Sequence, residues 1–245
     1  MRLIISALAV ATVGVASANL GNGLNIVNGP GGMTNGGDRS FLETTPVEGT
    51  FGYGAQTTSN NVVADDFTVG SGGFIVQSLC FIMYQTGATA PTINGLSWAI
   101  DVNPTTTLTA STPTVSWYNP GAAAGVFRVT NTDTTSTNRR IQLIEVDVPD
   151  FTLAAGTYWL SWNAAGTLAS GPWQPHIPTS MAANGQNARQ SIANAAFNQV
   201  FVDTASTTGA DLPFLVKGQA VPEPASMAAL GLGALALIRR RKASK

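Results

Sequence analysis

Thr157-Tyr158-Trp159-Leu160-Ser161-Trp162-Asn163 alternates residue by residue. In an extended chain Tyr158, Leu160 and Trp162 take one face, and Thr157, Trp159, Ser161 and Asn163 take the other. Ile141–Val148 has the same period, with Ile144, Val146 and Val148 opposed to Glu145 and Asp147. The repeat is two residues, not 3.6, so both stretches predict strands with one buried face. Further short apolar or alternating runs recur between turn signals at Val62–Val69, Phe74–Tyr84, Leu96–Val102, Thr114–Tyr118, Gly125–Thr130, Gln199–Val202 and Leu212–Lys217. This spacing predicts an all-β fold, a β-sandwich. One segment, Asn184–Asn198, places Ala188, Ile192, Ala195 and Ala196 near helical spacing, although Gly185, Asn187 and Asn194 equally suit a long loop with one helical turn.

The chain ends differ from the middle. Arg2, the apolar Leu3–Val15 and Ala16-Ser17-Ala18 form a charged start, a hydrophobic stretch and an A-x-A cleavage site, so residues 1–18 are expected to be a secretory signal peptide. Signal peptidase would recognise Ala16 and Ala18 and leave Asn19 first. Residues 19–220 form the expected ectodomain, of which 19–60 is Gly- and Asn-rich and reads as a loop-rich leading segment. Residues 221–245 have three parts: Pro222-Glu223-Pro224, the uncharged Ala225–Ile238, and the basic Arg239, Arg240, Arg241 and Lys242. Proline fixes φ and biases the residue before it towards extended backbone, so the Pro-Glu-Pro segment is held open for a protease cleft.

Fourteen helical residues from Ala225 to Ile238 would reach roughly 21 Å, short of the ~30 Å hydrocarbon core. A stretch of this length is often a buried core helix. Behind a signal peptide and ahead of a basic cluster, it reads instead as a short transmembrane helix that crosses by snorkelling and local thinning, with Arg239–Lys242 as a cytoplasmic stop.

These three parts, in this order, resemble the tail of the PEP-CTERM family of bacterial surface proteins. The residues that carry the likeness are Val-Pro-Glu-Pro-Ala-Ser at 221–226, Gly-Leu-Gly-Ala-Leu-Ala-Leu at 231–237 and the terminal Arg-Arg-Arg-Lys. The resemblance implies recognition of Pro222, Glu223 and Pro224 by exosortase, a membrane-embedded cysteine protease-transpeptidase. A second likeness lies in Ala64-Asp65-Asp66-Phe67, Tyr84-Gln85-Thr86-Gly87, Asn138-Arg139-Arg140, Gly156–Trp162, Ser170–Pro175 and Leu212-Pro213-Phe214. These pieces look like a jelly-roll-like ectodomain found ahead of such tails, and no activity is attached to it.

The whole-chain charge of −1 hides an acidic ectodomain, because five basic residues lie from Arg239 onward. Residues 19–220 hold six Lys plus Arg against twelve Asp plus Glu, a net charge of −6. That balance excludes nucleic acid and an anionic membrane surface as partners of the ectodomain. Cys80 is the single cysteine, so no intramolecular disulfide forms, and its apolar strand context marks a small buried side chain rather than a nucleophile.

Signatures of hydrolases, zinc proteases and P-loops are absent from the sequence. The single histidine, His176, lies between Pro175 and Ile177-Pro178 and reads as a surface loop residue packed on Trp173. Two carboxylate pairs, Asp65 with Asp66 and Glu145 with Asp147, are the candidates for a glycosidase. The first pair points to opposite faces of a strand, and the second shares a face and needs solvent or a cation between its members. A structural Ca²⁺ is the simpler use of either pair, and no other cofactor is expected. Trp98, Trp117, Trp159, Trp162 and Trp173 offer indole faces for sugars, though core packing accounts for most of them, and Trp159 and Trp162 lie on opposite faces, so at most one is exposed.

The sequence therefore points to a non-enzymatic, exported envelope or extracellular-matrix protein, structural or adhesive. It is held in transit at the cytoplasmic membrane, with extracellular polysaccharide as a subsidiary partner. A secreted carbohydrate-binding or two-carboxylate carbohydrate-active protein is the alternative.

Overall fold

The computed structural model describes residues 17–27, 31–40, 49–121, 124–130, 132–177, 186–202 and 207–222. The first strands are β1 Ser17–Gly23, β2 Asp38–Arg39, β3 Tyr53–Gly54, β4 Val62–Val69, β5 Phe74–Met83, β6 Ile93–Asp101, β7 Thr109–Ser111 and β8 Thr114–Trp117. There follow β9 Val126–Phe127, β10 Gln142–Leu153, β11 Gly156–Gly166, β12 Trp173–Gln174, β13 Arg189–Ser191, β14 Asn198–Gln199 and β15 Phe214–Ala220. Among the described residues the helical content is a single 3₁₀ turn, Thr57–Ser59. The described part of the protein is all-β.

Two antiparallel sheets share one core. The first has the order β1-β15-β5-β10-β8 and the second β14-β13-β4-β11-β6-β7. β4 passes through a tight turn into β5 in the other sheet, and β10 passes into β11 in the reverse sense. The β4–β5 unit therefore lies antiparallel to the β10–β11 unit in both sheets at once. At the first of these corners the Gly73 amide donates to Gly70 O (3.0 Å). Gly73 has φ +90°, and a Cβ there would stand 2.8 Å from Leu153 O, so glycine is what the corner accepts.

The inward faces follow the alternation of the sequence. Val63 and Phe67 of β4 and Leu160 and Trp162 of β11 meet Leu79 and Phe81 of β5, Ile144 and Val146 of β10, and Phe214 and Val216 of β15. Trp162 lies between the sheets, with ring centroids 5.1 Å from Phe81 and 5.7 Å from Phe214. The continuous apolar run Leu79–Tyr84 has a separate cause: β5 is covered on both faces. Ile82 and Tyr84 point away from the main core into a second cluster with Ile26, Tyr118, Val126, Ile141 and Ile177.

Two expectations change. The loop-rich segment 19–60 begins with a strand, since β1 pairs with β15 from Ser17↔Gln219 to Gly23↔Phe214, and Ala18 and Leu20 pack on the core. The expected signal-peptide cleavage after Ala18 falls within that strand and would leave Asn19–Gly23 of it. Asn184–Asn198 is not helical in its described part: Arg189–Ser191 pairs with β4, and Ala193 and Asn194 adopt positive φ. Pairing to β4 outweighs four residues at helical spacing, because Ala188 is wholly buried and bonded through its backbone to Ala210 and Val200. The expected transmembrane helix Ala225–Ile238 lies outside the described residues, among which no helix is long and apolar enough to cross a membrane.

Replacing Trp162 with alanine removes the ring on which both sheets pack, and should cost ~3–5 kcal/mol. Urea unfolding of the variant against wild type checks this.

Candidate functional site

Asp65 and Asp66 do point to opposite faces of β4, yet both are buried. Asp65 shares the core-facing side of Val63 and Phe67, and its oxygens are occupied by protein donors. Leu212 N (2.7 Å) and Asn22 Nδ2 (2.8 Å) donate to Oδ2, and Asp66 N (2.9 Å) donates to Oδ1. These bonds tie β1 and the approach to β15 onto β4. Asp66 Oδ1 accepts from Gln186 N (2.7 Å). Burial pushes the Asp65 carboxyl well above its ordinary range, and burial followed by the Asp66 charge pushes Asp211 up to about 6. The acids work as backbone clamps. Among the described residues no group of three or more His, Cys, Asp or Glu is placed to hold a metal ion.

Glu145 and Asp147 share the outer face of the first sheet, as the alternation requires, but Glu145 is matched by a cation. Lys217 Nζ donates to its Oε1 at 2.8 Å, and the Cys80 thiol, directly opposite in register, lies 3.4 Å from the same oxygen. The Lys217 hydrogen bond holds the Glu145 carboxyl below its ordinary range, so it stays ionised at neutral pH. Burial pushes the Cys80 thiol up to about 11, which suits a packed side chain and not a nucleophile. Asp147 stands exposed.

His176 is not on the surface. It is buried beside Arg128, itself buried, whose Nη2 lies 3.5 Å from His176 Nδ1. Arg128 also donates to Phe51 O (2.7 Å), Thr50 O (2.8 Å) and Ser40 Oγ (3.3 Å), gathering three loops. Burial, then the Arg128 charge, holds the imidazole well below its ordinary value and therefore neutral. Alternation could not foresee this, because the loop around His176 has no period.

Of the tryptophans, Trp159 and Trp162 are both buried, so neither offers a face to solvent. Trp98 and Trp117 are half-buried and occupied: Trp98 stacks on Phe151 (6.1 Å), and the Arg140 guanidinium lies 4.4 Å from the Trp117 ring centre. Trp173 differs in position. It is half-buried and stands between two clefts. The larger, about 620 Å³, runs between the Gln56–Asn61 turn and the segment after β11. The smaller, about 320 Å³, includes Phe51, Tyr84 and Arg139. Sequence reasoning included Trp173 among the indoles but missed this setting; the turn-forming Ser170-Gly171-Pro172 beside it was the available signal.

The two chain ends leave the fold at one corner. The start of β1 lies beside the end of β15, Ser17 opposite Gln219, and the Val221 amide donates to Gly73 O (3.0 Å). Pro222 is therefore reached two residues after the last strand. Glu223, Pro224, Arg239, Arg240, Arg241 and Lys242 lie outside the described residues, as does Ala16, whereas Ala18 is in β1.

An all-β domain of two packed sheets that hands its last strand straight to a C-terminal tail defines the class of this chain. The tail itself matches a family model: residues 220–242 fit the PEP-CTERM protein-sorting motif. The motif implies an exported protein that is sorted to the cell envelope in an exosortase-dependent way. Comparisons with curated proteins and with solved structures gave no match.

Because the Asp211 carboxyl titrates higher folded than unfolded, its ionisation opposes folding. Its penalty is absent below about pH 4 and grows as pH rises to about 6. Relative to wild type, Asp211→Asn should gain stability across that window and hold the gain above it, as paired urea melts at pH 4, 5, 6 and 7 would show.

Proposed function

We propose that this chain is a structural or adhesive protein of the cell surface or extracellular matrix, without enzymatic activity. The signal peptide 1–18 exports it, Ala225–Ile238 holds it in the cytoplasmic membrane with Arg239–Lys242 inside, and exosortase acts at Pro222-Glu223-Pro224. The observation that carries the reading is the match of residues 220–242 to the sorting motif. The short run from β15 to Pro222 supports it from the structural side, because a membrane-held tail would place the β1/β15 corner of the folded domain next to the bilayer.

The crossing of the β4–β5 and β10–β11 units supports a jelly-roll-like sandwich as the ectodomain. Non-enzymatic use is favoured by the condition of the carboxylates. A glycosidase needs one acid that keeps its proton and a second carboxylate across a substrate cleft. Glu145 is ion-paired on an open sheet face, and neither it nor Asp147 lines either cleft. Asp65 spends its oxygens on backbone and side-chain donors.

Replacing Pro222, Glu223 and Pro224 together by alanine should leave export intact and trap the chain, tail included, in the membrane fraction. Fractionation of cells followed by detection of the ectodomain reads this out; unchanged delivery to the surface would contradict the proposal.

A further inference from the structure

The two clefts that meet at Trp173 have complementary chemistry. The larger presents the amides of Gln56 and Asn61 and the hydroxyls of Thr58, Ser59 and Thr167, and none of the described residues lining it is charged. The smaller is lined by Phe51 and Trp173, both half-buried, with Thr86, Ser170 and the buried Tyr84. Its cation, Arg139, lies over the Phe51 ring at 3.6 Å and is already paired with Asp133 at 2.8 Å. Both volumes fall within the roughly 300–1,000 Å³ of small-ligand sites.

The walls are fixed in advance. Trp173 exchanges backbone hydrogen bonds with Tyr84 (2.8 and 3.0 Å), and its indole N–H donates to Ser170 Oγ (3.2 Å). Buried Gln85 donates to Leu168 O (2.8 Å) and accepts from Leu168 N (3.4 Å), which holds the far wall. Gly166 leaves room for that amide, since a Cβ there would run into the Gln85 side chain. Asn61 Nδ2 donates to Gln56 Oε1 (2.7 Å), orienting both amides. Groups already held in place lose little freedom on binding.

A pyranose has an apolar C–H face and a rim of hydroxyls that both donate and accept. The part of the Trp173 indole left exposed where it packs on the second cluster, flanked by uncharged amides and hydroxyls, is the counterpart of that surface. An anionic ligand would lack a free cation here and would meet an ectodomain of net charge −6. We propose that the cleft around Trp173 binds a segment of neutral polysaccharide, with one sugar ring against the indole and its hydroxyls bonded within the larger cleft. This rests on the reading of the chain as a matrix protein and supplies the chemistry of its partner.

The test is native-gel electrophoresis of the full chain, purified from its own cells, through gels containing laminarin, dextran or mannan, with alginate as the anionic comparison. At least one neutral glucan or mannan should retard the wild-type protein. Trp173→Ala and Ala169→Arg, the latter filling the cleft from an exposed wall position, should each weaken that retardation at least tenfold. Arg139→Gln should retain it. Thermal melts of Ala169→Arg establish that the fold survives. Wild type unretarded by all three neutral polymers, or folded Ala169→Arg retarded like wild type, would overturn the proposal. Retardation by alginate alone, lost in Arg139→Gln, would overturn it in favour of an acidic sugar. Fractionation of the same cells reports sorting separately, so loss of binding with normal sorting sinks only this proposal.

Discussion

Trp162 donates its indole N–H to Gln174 Oε1 at 3.0 Å while its ring fills the space between the sheets. Gln174 in turn donates to Ile82 O and Pro175 O, both at 3.1 Å, so a single buried amide bonds to β11, to β5 and to its own loop. Loss of either partner leaves polar atoms buried without bonds, which costs more than such a pair contributes when made. The consequence reaches the surface. Gln174 follows Trp173 in the chain, and the interaction that centres the core also sets the position of the indole at the cleft.

The strand pattern was legible in β10, whose buried residues alternate, and in β11, whose Leu160 and Trp162 face the core although Trp159, Ser161 and Asn163 are buried on the other face; β4 is buried on both faces and does not alternate. β5 was legible for a different reason: burial on both faces leaves a nearly unbroken apolar run from Leu79 to Tyr84. β1 was hidden, since a strand with Asn and Gly at four of seven positions reads as loop, and its stability comes from pairing with β15. Arg189–Ser191 was hidden likewise, its three residues being held by β4. Buried polar groups were the least visible class. Nothing local in the sequence distinguishes Gln85, Gln174 or Arg128 from exposed neighbours, because their partners lie in other loops.

The candidate chemistry divides the same way. The carboxylate pairs were found, and their facing was foreseen, but their use depends on residues far away in sequence: Leu212 and Asn22 for Asp65, Lys217 for Glu145. With no disulfide available, such clamps and the two-sheet core hold the domain. The sorting motif stands apart, being written entirely in consecutive residues and therefore readable without a fold. The fold adds where its Pro-Glu-Pro begins: two residues beyond β15, at the corner from which β1 also departs. A protease working at the membrane surface would have to act with a folded domain immediately above its site.

The most direct measurement is the intact mass of the mature protein from native cells and from cells lacking the exosortase. The account predicts loss of the segment beyond the Pro-Glu-Pro motif, Ala225–Lys245, only when the exosortase is present. The same full-length C-terminus in both would contradict it and make the tail a permanent anchor.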